Sequence, residues 1–140
     1  AAPLLAAEGA TLVVTHFEPP GIGASIAAGI GALLPRAPDA CLIALADMPC
    51  VRPTTIAHLA QTLRAGAALV APDYRGTRGH PVGFSRLWFE QLAALQGDEG
   101  ARDLLAIHRD ALQRVPVNDP GVLADVDRPA DLEALTAAWC

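Results

Sequence analysis

Apolar runs of strand length alternate with stretches of helical spacing along the chain, and glycine, proline or acidic residues separate them. The most uniform apolar run, residues 41–46, predicts a strand that is buried on both faces and ended by Asp47 and Pro49. Further strands are predicted at residues 11–15, 67–71, 82–84 and 114–117. Helices are predicted at residues 26–34, 53–64, 87–95, 101–112 and 130–139. This alternation predicts an α/β fold with a mainly parallel sheet flanked by helices.

The composition narrows the class of protein. A length of 140 residues suits a single domain over residues 1–140. The net charge is −5, and all ten basic residues are arginine, with no basic run that is interleaved with aromatic side chains. Nucleic-acid binding is therefore not expected. No lysine is present to cradle phosphate groups.

The sequence carries no sign of export or membrane insertion. No segment reaches the roughly 18 uninterrupted apolar residues of a membrane span, and the start lacks the basic region of a signal peptide. Cys41, Cys50 and Cys140 show neither zinc-site spacing nor a paired framework, so neither zinc nor a disulfide scaffold is expected. The chain is therefore predicted to be cytoplasmic, with small-molecule partners and no membrane contact.

Asp47 follows the apolar run directly and is the first candidate for chemistry. The carboxyl ends of parallel strands form the edge at which open α/β sheets bind ligands, so an acid there is a candidate metal ligand. The alternative is that Asp47 only accepts hydrogen bonds from the amides of the turn before the next helix. On this segment alone both interpretations stay open.

Asp125 and Asp127 form a second acidic group, close to the last predicted helix. Strands that run in one direction deliver their carboxyl ends to the same side of a sheet, so these acids can approach Asp47 despite the distance in sequence. Converging carboxylates suit Mg²⁺, which prefers oxygen ligands. Nucleophilic hydrolysis is not indicated, because no GxSxG motif is present and nothing supplies a base for Cys50.

Residues 21–25, Gly-Ile-Gly-Ala-Ser, lead into a helical pattern. Such a start can present free amides to an anion. It matches neither the dinucleotide fingerprint, which needs glycine where Ile26 stands, nor a P-loop, because no Gly-Lys pair follows. The alternative is that the glycines serve close packing and that Ser25 caps the helix.

Four segments occur in a recognisable order. They are LADMP at residues 45–49, GHPVGF at 79–84, GDEGAR at 97–102 and DVDRPADL at 125–132. Each is weak alone, but together they resemble the molybdenum cofactor nucleotidyltransferases, specifically the molybdopterin cytidylyltransferase-like branch. The resemblance covers nearly the whole chain, from Gly23 to the C-terminal helix.

The resemblance implies a Rossmann-like nucleotidyltransferase fold. It implies transfer of CMP, or GMP, from a nucleoside triphosphate to the terminal phosphate of molybdopterin, with Mg²⁺ and release of pyrophosphate. The implied partners are CTP or GTP, molybdopterin, and a molybdoenzyme or its chaperone. The alternatives are a nucleotidyltransferase for another cofactor or a sugar phosphate, and a non-catalytic domain that binds and carries molybdopterin.

Carried over by position, the resemblance implies roles for individual residues. Asp47 and Asp127 become the catalytic metal ligands, and Asp125 is the less favoured member of its pair. The implied cofactor-binding residues are Gly23, Ser25, Gly79, His80, Pro81, Gly97, Asp98 and Arg102. For Arg102, a surface position paired with Asp98 or Glu99 is the structural alternative.

One part of the family pattern has no counterpart. The family opens with a strand and a glycine-rich loop of the pattern LAAGxSxRxGxxK, whose amides, arginine and lysine hold the triphosphate. These 140 residues contain neither that loop nor a lysine. We therefore expect the chain to be the C-terminal portion of an NTP-transferase domain and to be inactive alone. The alternative is a degenerate relative that kept only the acceptor side.

Overall fold

The computed structural model describes residues 7–16 and 21–138. Within them the chain separates into two compact units. One comprises the described residues up to Pro38 together with Phe89–Ile107, and the other comprises Asp39–Trp88 together with the described residues from His108 onward. The single domain over residues 1–140 stays a prediction.

The first unit is helical. Helix α1 spans Ile22–Leu33 and continues into a 3₁₀ turn at Leu34–Arg36. Helix α3 spans Phe89–Ala93, and helix α4 spans Ala101–Ile107. Residues 10–16, where a strand is predicted, contain no regular structure, and Leu12, Val13 and Val14 are exposed. That prediction is wrong for the described residues, because β-branched side chains favour a strand only where a partner strand is available.

The second unit is built on a sheet of five strands with helices beside it, which confirms the α/β class. The strands are β1 (Ala40–Ile43), β2 (Leu69–Tyr74), β3 (Thr77–Arg78), β4 (Val82–Ser85) and β5 (Leu112–Pro116). The order β1-β4-β2 continues to β3, and β5 also pairs with β2. Helix α2 spans Pro53–Arg64, as predicted, and helix α5 spans Pro129–Ala138.

The sheet is mixed rather than mainly parallel in its pairings. Strand β4 pairs antiparallel with both β1 and β2, and among the described strands only β2 and β5 pair in parallel. The three strands β1, β2 and β5 nevertheless run in one direction, so their carboxyl ends share one edge of the sheet. The sequence correctly predicts a strand at β4, but an apolar run of this length carries no signal for its direction.

Strand β2 is the most deeply buried, with Leu69, Val70 and Ala71 fully enclosed. Helix α2 covers the sheet through Leu59 and Leu63, which form a core cluster with Val70 and Val115. Strand β1 is only half-buried, because within the described chain it pairs with β4 alone and stands at the sheet edge. The expectation of a central β1 that is buried on both faces is therefore wrong.

Residues 75–81 include a tight hairpin. Arg75 and Gly76 take positive φ angles of 51° and 86° between β2 and β3. The Asp73 carboxylate accepts a hydrogen bond from the Gly76 amide and pairs with Arg114 at 2.8 Å. These contacts order the turn.

No helix in the described part of the chain is long and apolar enough to cross a membrane. The cytoplasmic location stays a prediction.

Candidate metal centre

Asp47 lies in the connection from β1 to α2, four residues beyond the end of the strand at Ile43. Its backbone is held by two hydrogen bonds nearby: the Val126 amide donates to the Asp47 carbonyl at 2.7 Å, and the Met48 amide donates to Leu45 at 3.2 Å. Its carboxylate is exposed and makes no hydrogen bond with any part of the chain that the structure describes. The alternative in which this carboxylate caps the turn is therefore not what the structure shows.

Asp125 and Asp127 follow a 3₁₀ turn at Pro120–Leu123. One carboxylate oxygen from each of these residues and one from Asp47 lie within 4.8 Å of one another. All three residues are exposed. The structure thus brings Asp47 and Asp127 together as expected, and it adds Asp125 at the same range. The preference for Asp127 over Asp125 has no support in the geometry.

The donor set fits a hard divalent cation. Mg²⁺ binds oxygen ligands at about 2.1 Å in an octahedral arrangement, so adjacent ligands lie about 3 Å apart and opposite ones about 4.2 Å apart. Carboxylate oxygens within 4.8 Å reach those separations by small side-chain rotations. Three negative groups without hydrogen bonds to the described chain also repel one another, and a divalent cation would relieve that repulsion. Their role as metal ligands stays a prediction.

The Gly79-His80-Pro81 segment packs on the same part of the second unit. The Gly79 amide donates to Pro72 and the His80 amide donates to Val122, both at 2.9 Å. A Cβ at Gly79 would overlap the Val122 carbonyl, so only glycine fits this close approach. The His80–Pro81 peptide bond is cis. The segment is therefore held against the turn that leads to Asp125 and Asp127.

His80 has an altered acidity. Burial lowers the pKa of His80 below its ordinary value of 6.5, and the Arg78 guanidinium acts in the same direction, while the Asp47 carboxylate opposes both. The His80 amide donates to Val122, which lies in the turn that leads to Asp125 and Asp127. A neutral imidazole at pH 7 offers one hydrogen-bond donor and one acceptor.

This pKa shift predicts a pH dependence of stability. Because the folded protein holds the His80 proton less tightly than the unfolded chain, its contribution is fully present above about pH 6.5 and is lost as the pH falls through the folded pKa. His80→Gln should therefore show a smaller drop in the free energy of unfolding between pH 7.5 and pH 5.5, measured by urea titration. His58→Gln, at an exposed position of α2, is the matched control. An unchanged drop in His80→Gln would contradict the prediction.

The other predicted cofactor-binding residues lie in the first unit. The amides of Gly23 and Ala24 donate to the Gly97 carbonyl at 2.8 Å and 3.3 Å, so they are not free for an anion. Glycine serves close packing here, because a Cβ at Gly23 would overlap the Glu99 carbonyl. The helix cap is Gly21 rather than Ser25. Binding roles for Gly23, Ser25 and Gly97 stay predictions.

Asp98 and Arg102 are exposed in the first unit. Within residues 7–16 and 21–138, Arg102 forms no ion pair and no side-chain hydrogen bond. The alternative pairing with Asp98 or Glu99 is thus not observed, since the Glu99 carboxylate instead accepts from the Gln96 amide at 3.2 Å. The Arg102 guanidinium is available to an anionic ligand.

The cysteines do not support thiol chemistry. Burial raises the pKa of Cys41 to about 11, which suppresses the thiolate. Cys50 is buried and disulfide-bonded, although the sequence indicated no disulfide scaffold. The spacing of the cysteines along the chain does not predict this disulfide bond.

Sequence reasoning also missed Asp119, a buried carboxylate that joins two segments of the second unit. Its position before Pro120 and Gly121 indicates a helix cap. Its contacts with Arg52 and Thr55 span 67 and 64 residues, and no local pattern reports them.

A curated protein is similar in sequence to most of this chain. PucB, a purine catabolism protein of Bacillus subtilis strain 168, is 30% identical over 120 residues, which are 84% of this chain and 57% of PucB. The chain therefore spans less than two thirds of the length of this curated relative.

Solved structures from mycobacteria share the fold. Rv0371c of Mycobacterium tuberculosis H37Rv matches 99% of this chain and 70% of its own, with a TM-score of 0.80 and 29% identity. Its complex with manganese matches 98% of this chain and 74% of its own, with a TM-score of 0.72 and 27% identity. The Rv0371c homologue of Mycobacterium sp. strain JC1 is 32% identical, with a TM-score of 0.65, over 80% of this chain and 57% of its own.

The sequence profile of the MobA-like NTP transferase domain matches residues 1–115, which is most of the chain. The chain therefore belongs to the MobA-like NTP transferase family.

Proposed function

We propose that this chain is the metal- and acceptor-binding portion of a nucleotidyltransferase. The reaction moves CMP, or GMP, from a nucleoside triphosphate to the terminal phosphate of molybdopterin and releases pyrophosphate. The acceptor phosphate oxygen forms a bond to the α-phosphorus while the bond from that phosphorus to the pyrophosphate oxygen breaks. Membership of the family supports the nucleotidyl transfer, and the four sequence motifs support molybdopterin as the acceptor.

The observation that carries the proposal is the convergence of Asp47, Asp125 and Asp127 within 4.8 Å. These carboxylates would hold Mg²⁺ or Mn²⁺, and such an ion would neutralise charge on the reacting phosphate. The manganese complex of the structural relative Rv0371c supports a divalent cation in proteins of this fold. The three acids would fix the position of the ion, because the segments that carry them are joined by the hydrogen bond from the Val126 amide to the Asp47 carbonyl.

Residues near the cluster would bind and orient the acceptor. The His80 imidazole, neutral at pH 7, can donate a hydrogen bond to a phosphate oxygen or accept one from a hydroxyl group. Close packing of Gly79 against Val122 holds the backbone of this segment, and Pro81 is buried behind it. Gly97, Asp98 and Arg102 belong to the first unit, and only the family resemblance assigns them to the acceptor; the Arg102 guanidinium suits a phosphate.

Arg102→Ala is expected to raise the KM for molybdopterin by about 10-fold, the loss of one charge-assisted hydrogen bond. The KM for the nucleotide should change little. Steady-state kinetics of the longer protein that includes the triphosphate-binding loop would measure both constants. Arg109→Ala, at another exposed arginine, is the matched control. Equal kinetics of Arg102→Ala and the parent would favour a purely surface role.

Two alternatives make different predictions. A nucleotidyltransferase for another cofactor or a sugar phosphate would release pyrophosphate without molybdopterin, and the similarity to PucB leaves the acceptor open. A carrier domain would bind molybdopterin without any nucleotide. A molybdoenzyme or its chaperone stays the predicted protein partner.

The test is a transfer assay with α-³²P-labelled CTP or GTP, molybdopterin and Mg²⁺ on the longer protein. A labelled molybdopterin dinucleotide is the expected product, and the comparison of the two nucleotides decides the base. Labelled product with another phosphate acceptor only, or molybdopterin binding with no transfer from either nucleotide, would overturn the proposal in favour of the respective alternative.

A further inference from the structure

Asp119 and Thr55 are the buried polar or charged side chains of the described residues, with 2% and 4% exposure. They contact each other: the Thr55 hydroxyl donates to Asp119 Oδ2 at 2.6 Å. The Arg52 amide donates to the same oxygen at 2.9 Å, and the Gly121 amide donates to Oδ1 at 3.0 Å. A buried carboxylate is costly unless donors surround it, and this one has three.

The donors belong to two different segments. Arg52 is the N-cap of α2, and Thr55 lies in its first turn, so both follow the connection that carries Asp47. Gly121 lies in the 3₁₀ turn whose cap is Asp119 itself, four residues before Asp125. One carboxylate therefore joins the starts of two helical segments.

The two segments make further contacts on both sides of this carboxylate. The Arg52 guanidinium donates to the Asn118 carbonyl at 2.8 Å. A Cβ at Gly121 would overlap the Cys50 carbonyl, so the backbones touch there. The Val126 amide donates to the Asp47 carbonyl at 2.7 Å. As one segment runs from 47 to 52, its contacts run from 126 back to 118, so the two segments are antiparallel.

The metal-ligand candidates depend on this arrangement. The carboxylates of Asp47, Asp125 and Asp127 accept no hydrogen bond from the chain that the structure describes, so backbone position alone brings them together. Their like charges favour separation of the two segments. A buried link between the segments opposes that separation.

We propose that Asp119 is a positioning residue, whose carboxylate holds residues 47–52 against residues 118–127 and so sets the spacing of the three acids. The part of this proposal that concerns metal binding rests on the proposed function. Thr55 is the second member of the link, because its hydroxyl is the only side-chain donor to Asp119 among the described residues.

The test compares Asp119→Asn, Thr55→Val and Thr55→Ser in the 140-residue chain. The first readout is hydrogen exchange of the Val126 amide, which reports the contact between the segments without metal. The second is Mn²⁺ affinity by electron paramagnetic resonance, at a temperature where all variants are folded. Leu63→Ala, in the last turn of α2, is the control for lost stability.

Asp119→Asn and Thr55→Val should each speed exchange at Val126 and weaken Mn²⁺ binding by about 10-fold, the loss of one hydrogen bond to a charged group. Thr55→Ser keeps the donor and should restore both values. Leu63→Ala should lower the melting temperature without either change. Exchange at Val126 equal to that of the parent in both Asp119→Asn and Thr55→Val would overturn the link. A parent that binds no Mn²⁺ would overturn the metal site instead, while the exchange readout still decides the link.

Discussion

Asp47→Asn is expected to lower turnover of the longer protein by at least about 100-fold, the typical cost of losing one strong electrostatic contribution to a transition state. The amide keeps the shape of the side chain but loses the charge that a divalent cation needs. The melting temperature should stay unchanged or rise, because the Asp47 carboxylate accepts no hydrogen bond from the described chain and lies beside two like charges. Pyrophosphate release and thermal unfolding measure the two effects.

Asp110→Asn is the matched control, at another exposed acid of the second unit. It should leave turnover at the parent value. A capping role for Asp47 would give the opposite pattern: a lower melting temperature with most of the activity retained. That pattern would contradict a metal-binding role.

The 140-residue chain alone is expected to release no pyrophosphate from CTP or GTP with Mg²⁺ and molybdopterin. Positioning of the triphosphate supplies much of the rate in such transfers, and these residues contain neither the glycine-rich loop nor a lysine. On the proposed function, an upstream segment that supplies such a loop should restore release.

An enzyme-coupled pyrophosphate assay compares the two forms, with both proteins at the same concentration. Asp47→Asn of the longer form provides the background rate. Release by the short chain above that background would show that the triphosphate is positioned by other residues, and it would contradict the expected inactivity.

Sequence patterns within a few residues correctly predicted the elements whose formation depends on neighbouring residues. Helix α2 begins and ends as expected, because Pro53 suits the first helical turn and apolar residues follow at helical spacing. Helix α4 ends at Ile107 rather than near Leu112, and the chain then enters β5. A 3₁₀ turn at Arg109–Ala111 lies between them, and from Leu112 the pairing with β2 overrides helical propensity, which a single sequence does not report.

At the candidate site, too, local patterns predicted some features and contacts between distant residues set the others. The acids were recognised from their positions after apolar segments and from the family motifs. Strand β1, by contrast, lies at the sheet edge of the described chain and is half-buried, so the prediction of a strand buried on both faces before Asp47 is wrong. The placement comes instead from contacts across more than 60 residues, such as that of Asp119 with Thr55. Contacts of this range are a property of the folded chain.

The most direct test of the metal centre is a Mn²⁺ titration of the 140-residue chain followed by electron paramagnetic resonance. We predict one Mn²⁺ bound per chain, displaced by excess Mg²⁺, with affinity reduced at least about 10-fold in Asp47→Asn and Asp127→Asn. A similar loss in Asp125→Asn would make it a third ligand. A free Mn²⁺ signal that persists at every protein concentration, or parent affinity in Asp47→Asn, would contradict a metal centre at these acids.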